Sequence, residues 1–204
     1  MPLVTQARQG LYARRLYWDI IRNPNLVMLH VQNETSGTTT YDRCTKNLLN
    51  GTITGSPTLG VALGNGVNGI TFAAGSSQYV SLGTPSALAF NNADPFSVLI
   101  LVTVNNTAIE KVIVGRRTGV SDYGWLDYFD TGEFLNFSLL SAGGNLTVRS
   151  TASVSTGVLT ILGTTYSGSA LSSGVVLYRD GAVMAQTVVS DTLAAPNPDY
   201  SGIT

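Results

Sequence analysis

The sequence is short of the side chains on which most metal centres and nucleophilic enzymes depend. Its 204 residues include one cysteine, Cys44, and one histidine, His30. A single cysteine excludes an intramolecular disulfide, and a zinc site needs about four cysteine, histidine or carboxylate ligands close together. Cys44 could act as a nucleophile only with His30 as its base, so we interpret Cys44 as an incidental thiol and His30 as structural. We expect no metal and no cofactor.

Charge is also scarce. Charged residues make up 11% of the chain, and eleven basic residues stand against twelve acidic ones. This balance lacks the basic field that attracts nucleic acid. No apolar run approaches the roughly 20 residues of a membrane helix, and the N-terminus lacks the apolar segment of a secretory signal. We therefore expect neither nucleic acid nor a membrane among its partners.

What the chain does have is β-strand pattern. Hydrophobic residues make up 44% of it, enough for a core of ordinary size. From Leu26 onward, short apolar or alternating runs are separated by Gly, Ser, Asn and Asp, which predicts an antiparallel sandwich or jelly roll. Asp180-Gly181 predicts a type I′ hairpin turn. The run Phe96–Val104 is apolar on both faces, which predicts a central strand covered on each side. The predicted strands are 26–31, 69–74, 78–83, 96–104, 111–116, 123–129, 133–140, 145–151, 157–166, 174–180 and 182–189.

The first 25 residues have a different composition, with four arginines against one acid. Their apolar residues fall near a helical spacing, although Gly10 weakens it and Pro24 ends it. Such a segment has more apolar surface than a free tail should expose. It either packs along its own domain or docks to a partner protein; its poorly separated polar face disfavours a membrane-surface helix. The candidate docking contacts are Leu11, Arg14, Arg15 and Trp18. The predicted domains are therefore an arm, 1–25, and a sandwich, 26–204.

An ordered series of short motifs follows the arm. The chain places "F…YVSL", "PSALAF" and "PFSVLILVTV" in turn between residues 72 and 104, then "YGWLDYFDTGEFLNFSL" and "VLYRDGAVMAQTV". This series resembles the laminin-G-like, concanavalin A-like sandwich family, and the resemblance implies one concanavalin A-like antiparallel β-sandwich (jelly roll). The motif residues are Phe72, Tyr79, Val80, Leu82, Pro85, Leu88, Phe90, Pro95, Phe96 and Ser97.

Two departures from the family pattern stand out. Thr156, Gly157 and Val158 occupy the place where members usually carry Trp and often His. The closing strands that usually follow the "DG" hairpin are also missing, which leaves an edge or groove uncovered. We expect the N-terminal segment, a partner, or the missing part of a truncated chain to supply that cover.

The stretch Tyr123–Phe134 combines five aromatic residues with three carboxylates, as sugar-cleaving clefts often do. Glucanases with this sandwich aim their acids into one cleft by placing them two residues apart on one strand. Here Asp127, Asp130 and Glu133 are three residues apart. We expect Asp127 to share a strand face with Trp125, Asp130 to lie in the "DTG" turn and Glu133 to open the next strand. This predicts no catalytic residue and no enzyme.

Sugar binding without cleavage is a separate possibility for the same stretch. Tyr123 and Trp125 could offer ring faces to a sugar, with Asp127 accepting its hydroxyl groups. The competing interpretation is that Trp125 fills the space between the sheets, since Trp is usually mostly buried. The candidate ligand-binding residues are Tyr123, Trp125 and Asp127.

Together these features predict a non-enzymatic structural or interaction module. Few charges, no secretory signal and an arm ahead of a sandwich favour a phage virion component, such as a capsid decoration, head-fibre or tail protein. Its expected partners are other virion proteins and further copies of itself. The alternative is an extracellular carbohydrate-binding adhesin module that recognises cell-surface glycans. Both rest on analogy from fold to function.

Overall fold

A computed structural model describes residues 20, 22–44, 46–64, 67–105, 108–117 and 123–193. In this part of the chain, antiparallel strands are joined by turns and by two short 3-10 helices, Ser86–Leu88 and Ser172–Gly174. The all-β prediction is therefore confirmed. The chain divides into two compact units, Met1–Ala87 and Leu88–Thr204. The predicted arm boundary after residue 25 stays a prediction, because residues 1–19 lie outside the described part.

The described residues of the first unit form two small antiparallel sheets. Their strands are β1 Thr39–Thr40, β2 Gly51–Thr54, β3 Thr58–Gly64, β4 Val67–Thr71 and β5 Tyr79–Ser81. One sheet has the strand order β1-β2-β5 and the other pairs β3 with β4. The prediction missed β1, β2 and β3, because their glycine- and threonine-rich sequence has neither long apolar runs nor clear alternation.

The predicted strand at 26–31 is wrong. Only an isolated bridge between His30 and Asp42 forms there. The backbone N–H of Leu29 donates to the carboxylate of Asp42 at 2.8 Å instead of to a neighbouring strand. A side chain 13 residues away thus takes the hydrogen bond that a ladder would have used.

The second unit contains two larger sheets, and every strand pairing in them is antiparallel. Their nine strands are β6 Phe96–Thr103, β7 Lys111–Arg117, β8 Gly124–Phe129, β9 Phe134–Ser141, β10 Gly144–Ser153, β11 Leu159–Tyr166, β12 Val175–Arg179, β13 Ala182–Val183 and β14 Gln186–Asp191. One sheet has five strands in the order β14-β10-β9-β8-β7, and the other has four in the order β13-β12-β11-β6. Seven of the nine, β6 to β12, confirm predicted strands to within about two residues.

A cluster of aromatic rings joins the two sheets of the second unit. Phe96, on β6 of the four-stranded sheet, has its ring centroid 5.9 Å from that of Phe137 and 5.2 Å from that of Trp125, both in the five-stranded sheet. It also meets Tyr166 at 5.8 Å and stacks on Phe90 at 4.3 Å. These ring-to-ring contacts pack the sheets face to face, as in a β-sandwich.

The Asp180-Gly181 turn is confirmed, but the strand predicted after it is not one strand. Asp180 and Gly181 have φ values of 50° and 83°, as a type I′ turn requires. Strand β13 then ends after two residues, and β14 pairs with β10 in the other sheet. Gln186 lies at this switch, because its side chain accepts from Leu177 N at 3.1 Å and donates to Val175 O at 2.8 Å, both on β12. The segment predicted as strand 182–189 therefore connects the two sheets.

The prediction that β6 is a central strand is wrong, because β6 lies at the edge of its sheet. Phe96 points toward the core, and the period-two alternation of a strand turns Leu99 and Leu101 to the opposite face. Leu99 is 71% exposed there. Among the described residues, the apolar side chains of this strand are thus covered on one face only.

We expect the Gln186→Ala substitution to lower the free energy of unfolding by about 1 kcal/mol, because two hydrogen bonds between β14 and β12 are lost. Amide hydrogen exchange at Leu177 should accelerate at the same time, since that N–H loses its acceptor. The neighbouring exposed Thr187→Ala substitution is the control and should change neither quantity. Unaltered exchange at Leu177 in the Gln186 variant would show that the Gln186 side chain does not bond to β12.

Candidate functional site

The structure describes three of the predicted site residues, Tyr123, Trp125 and Asp127. Tyr123 is half-buried just before β8, whereas Trp125 and Asp127 are 2% and 1% exposed. The predicted docking residues Leu11, Arg14, Arg15 and Trp18 lie outside the described residues. The burial of Trp125 and Asp127 therefore bears directly on the sugar-binding hypothesis.

Trp125 is a core residue. Its ring lies against Phe90 and Phe96, and its indole N–H donates to the carbonyl oxygen of Leu88 at 2.9 Å. A ring enclosed on its faces and bonded through its nitrogen has no surface to offer a sugar. The structure therefore favours the interpretation of Trp125 as filler between the sheets and corrects its choice as a ligand-binding candidate.

Asp127 faces the same core. It lies opposite Phe137 in the β8–β9 pairing, on the strand face that Trp125 and Phe129 share, as predicted. The hydroxyl of Thr164, on the other sheet, donates to its Oδ1 at 2.8 Å. Its Oδ2 is buried without a hydrogen-bond partner. Burial raises the pKa of Asp127 to about 7, and the bond from Thr164 opposes this rise. This carboxyl is inaccessible to a glycan.

The other two acids of the hairpin are held by other groups. Asp130 lies in the turn, as predicted, where its Oδ1 accepts from the N–H groups of Gly132 at 2.9 Å and Phe134 at 3.2 Å. Glu133 is buried and forms an ion pair with Lys111, with 2.6 Å between Nζ and Oε1. The three carboxylates of Tyr123–Phe134 thus have separate partners and do not form the open acid pair that glycoside cleavage uses.

The polar cluster of the first unit is also structural. Asp42 is buried, and its carboxylate accepts from the N–H groups of Leu29, Cys44 and Leu49 at 2.8 to 2.9 Å. The ring nitrogens of His30 lie 2.8 Å from the Thr40 hydroxyl and 2.7 Å from the Leu49 carbonyl oxygen. These bonds fold the backbone around Asp42. Within the described ranges, no group of three His, Cys, Asp or Glu residues could hold a metal ion.

The most prominent surface feature lies on the outer side of the four-stranded sheet, and we call it the apolar face. Alternation along β6 and β11 sends every second side chain outward. The register pairs Leu101 with Ile161 and Leu99 with Gly163 across these strands. The apolar face consists of the exposed side chains Leu99, Leu101, Leu159, Ile161 and Val183.

A groove of about 440 Å³ lies beside Leu99 and Ile161 of the apolar face. It lies over Gly163, which has no side chain, and is bordered by Leu99, Ile161 and Tyr178. The Asp180-Gly181 turn forms one end. Sequence reasoning missed this surface, although its signal was present: the run Phe96–Val104 is apolar on both faces, and that pattern was attributed to a central strand.

Comparison with known proteins adds no relative: no family model, curated protein or solved structure matches this chain. Within the described residues, no helix is long and apolar enough to cross a bilayer. The functional argument therefore rests on the geometry of the second unit.

We expect Asp127 to make the free energy of unfolding fall with rising pH. Its pKa in the folded state is about 7, against an ordinary value of 3.8. Below pH 3.8 the carboxyl carries its proton in both the folded and the unfolded state, so its contribution to stability is fully present. Between pH 3.8 and about 7 only the folded state keeps the proton, and the contribution to stability falls until it is lost by about pH 7. The full loss is on the order of 4 kcal/mol.

Denaturant unfolding of the Asp127→Asn variant between about pH 4 and pH 8 measures this effect. The variant keeps an oxygen that can accept from Thr164. Its unfolding free energy should lack the part of the pH dependence that Asp127 causes, and it should be more stable than the wild type near pH 8. Glu110→Gln, at an exposed glutamate, is the control and should keep the wild-type slope. Equal slopes in the Asp127 variant and the wild type would contradict the assignment.

Proposed function

We propose that this chain is a non-enzymatic structural and interaction module with a concanavalin A-like jelly-roll sandwich, and that it is a component of a phage particle. The observation that carries the proposal is the apolar face. Five large aliphatic side chains lie exposed on one sheet face, and a surface of this kind marks a site of interaction with another macromolecule.

The concanavalin A-like assignment is supported by where the resembling motifs lie in the second unit. The "PFSVLILVTV" motif forms β6, the "YGWLDYFDTGEFLNFSL" motif forms the β8–β9 hairpin, and the "LYRDG" motif forms the turn after β12. Two antiparallel sheets of five and four strands join through the rings that these motifs supply. This arrangement supports the jelly roll.

The absence of catalysis in the proposal is supported by the hairpin acids. Asp127 is enclosed between the sheets, Asp130 caps a turn, and Glu133 is paired with Lys111. A hydrolase of this architecture would need two of these carboxyls open to a bound sugar. The chemistry of this stretch is better explained by the folding of the hairpin.

A place in a phage particle is supported by features of the whole chain. It has few charges and a basic N-terminal segment with apolar residues at helical spacing. In the proposal, residues 1–25 anchor the module as a capsid decoration, head-fibre or tail protein. Leu11, Arg14, Arg15 and Trp18 are the proposed contacts with other virion proteins.

We expect the chain to co-migrate with purified particles of its source at a fixed stoichiometry in a density gradient. A form without residues 2–25 should fold, with an unchanged far-ultraviolet circular dichroism spectrum of its sandwich, but should fail to enter particles when it is expressed in place of the full chain. Quantitative mass spectrometry of the particle band measures both.

Two outcomes would contradict this proposal. Particles that form without the chain in the band would remove the virion role, and normal incorporation of the shortened form would remove the anchoring role of the arm. Saturable binding of the full chain to a glycan array, with no particle association, would instead support the carbohydrate-binding adhesin.

A further inference from the structure

The apolar face approaches the size of the largest apolar patch that a typical monomer exposes. Leu99 and Val183 are 71% and 66% exposed, and Leu101, Leu159 and Ile161 are also exposed. Together these side chains present apolar surface on the order of 500 Å², near the upper end of what monomers show. A stable two-chain interface takes about 800 Å² from each partner. The apolar face is thus large enough to form the apolar core of an interface with one partner.

The charge of the face restricts what can cover it. Strands β6 and β11, which make most of it, contain no charged residue. Asp180, which lines the groove, has Nε of Arg179 3.8 Å from its Oδ2, so a charge of opposite sign lies beside it. An occupant needs an equally neutral apolar surface, and a second copy of the same face supplies one without placing like charges together.

The shape of the face is complementary to itself. Leu99 projects into solvent, and Gly163, its partner in register on β11, leaves the adjacent groove. In an interface with two-fold symmetry, a contact from one copy to the other is always matched by the reverse contact. The projecting Leu99 of one copy can therefore enter the groove of the second copy, while Leu99 of the second copy enters the groove of the first.

We propose that the apolar face is the interface of a homodimer in which Leu99 of each copy enters the groove over Gly163 of the other. This inference rests on the proposed function, since it names the chain itself as the partner of the interaction surface. It also explains β6, because the outer apolar residues of that strand are then covered by the second copy.

Sedimentation equilibrium of the full chain up to about 100 μM tests the dimer. We expect a monomer–dimer equilibrium in the wild type and a dissociation constant raised on the order of 100-fold by Leu99→Lys, which would bury an unpaired charge. The control is Val189→Lys, which adds the same charge at a valine that is 57% exposed on β14 of the other sheet. It should dimerise like the wild type.

Gly163→Ala tests the hollow rather than the projection. A Cβ at Gly163 would lie 3.5 Å from Leu99 Cδ1 and Tyr178 Cβ and 3.6 Å from Val98 O, which are ordinary contacts. The variant should therefore fold with unchanged stability while it narrows the groove, and should weaken the dimer by about 10-fold. A dimer that pairs through the edge of β6 would be insensitive to this substitution, and that result would overturn the proposal.

Other outcomes separate this inference from the proposed function. A monomeric wild type, or a dimer lost only when residues 2–25 are removed, contradicts the interface while particle incorporation can still hold. A dimer that is disrupted by Leu99→Lys and Gly163→Ala, in a chain that never enters particles, supports the interface and contradicts the virion role.

Discussion

The ring of Phe96 is the contact on which the second unit depends. It lies at the start of β6 and meets Trp125, Phe137 and Tyr166, so one side chain joins both sheets. Two hydrogen bonds hold the segment just before β6 against the same rings. Trp125 Nε1 donates to Leu88 O, and the Tyr166 hydroxyl donates to Asn92 O. Packing and hydrogen bonding thus fix where β6 begins and which of its faces is buried.

Local chemistry explains which parts of this arrangement could be predicted. The Asp180-Gly181 turn, the "DTG" turn at Asp130 and the alternation along β8 depend on residues next to one another in sequence. The core position of Trp125 was one of two interpretations that the sequence left open. Its choice among the ligand candidates was corrected by ring contacts from Phe90 and Phe96, which are distant in sequence.

The wrong strand predictions arise from contacts between residues that are distant in sequence. The strand predicted at 26–31 is replaced by bonds to the carboxylate of Asp42, and the strand predicted at 182–189 is divided where Gln186 bonds to β12. Both depend on a side chain that meets a distant backbone group, and no periodicity records such a contact. The predicted docking residues of the arm lie outside the described part, so the structure bears only on the sandwich half of the site prediction.

Asp127 shows that the interior of the sandwich is not optimised for stability alone. A buried carboxyl with a raised pKa destabilises the fold at neutral pH relative to an apolar residue of similar size. Its hydrogen bond with Thr164 nevertheless links β8 of one sheet to β11 of the other. An apolar contact tolerates sliding of one sheet over the other, whereas this bond forms in one register. The bond therefore favours one alignment of the sheets.

That alignment has a consequence on the opposite side of the four-stranded sheet. Because Thr164 points inward to Asp127, its neighbour Gly163 faces outward and opens the groove beside Leu99. Because Phe96 points inward, Leu99 and Leu101 must also face outward. The core contacts that position β6 and β11 therefore determine the pattern of projection and hollow on the apolar face. A core that fixes two strands this firmly presents that pattern as a rigid surface, so in the proposed dimer the second copy would bind it without first ordering it.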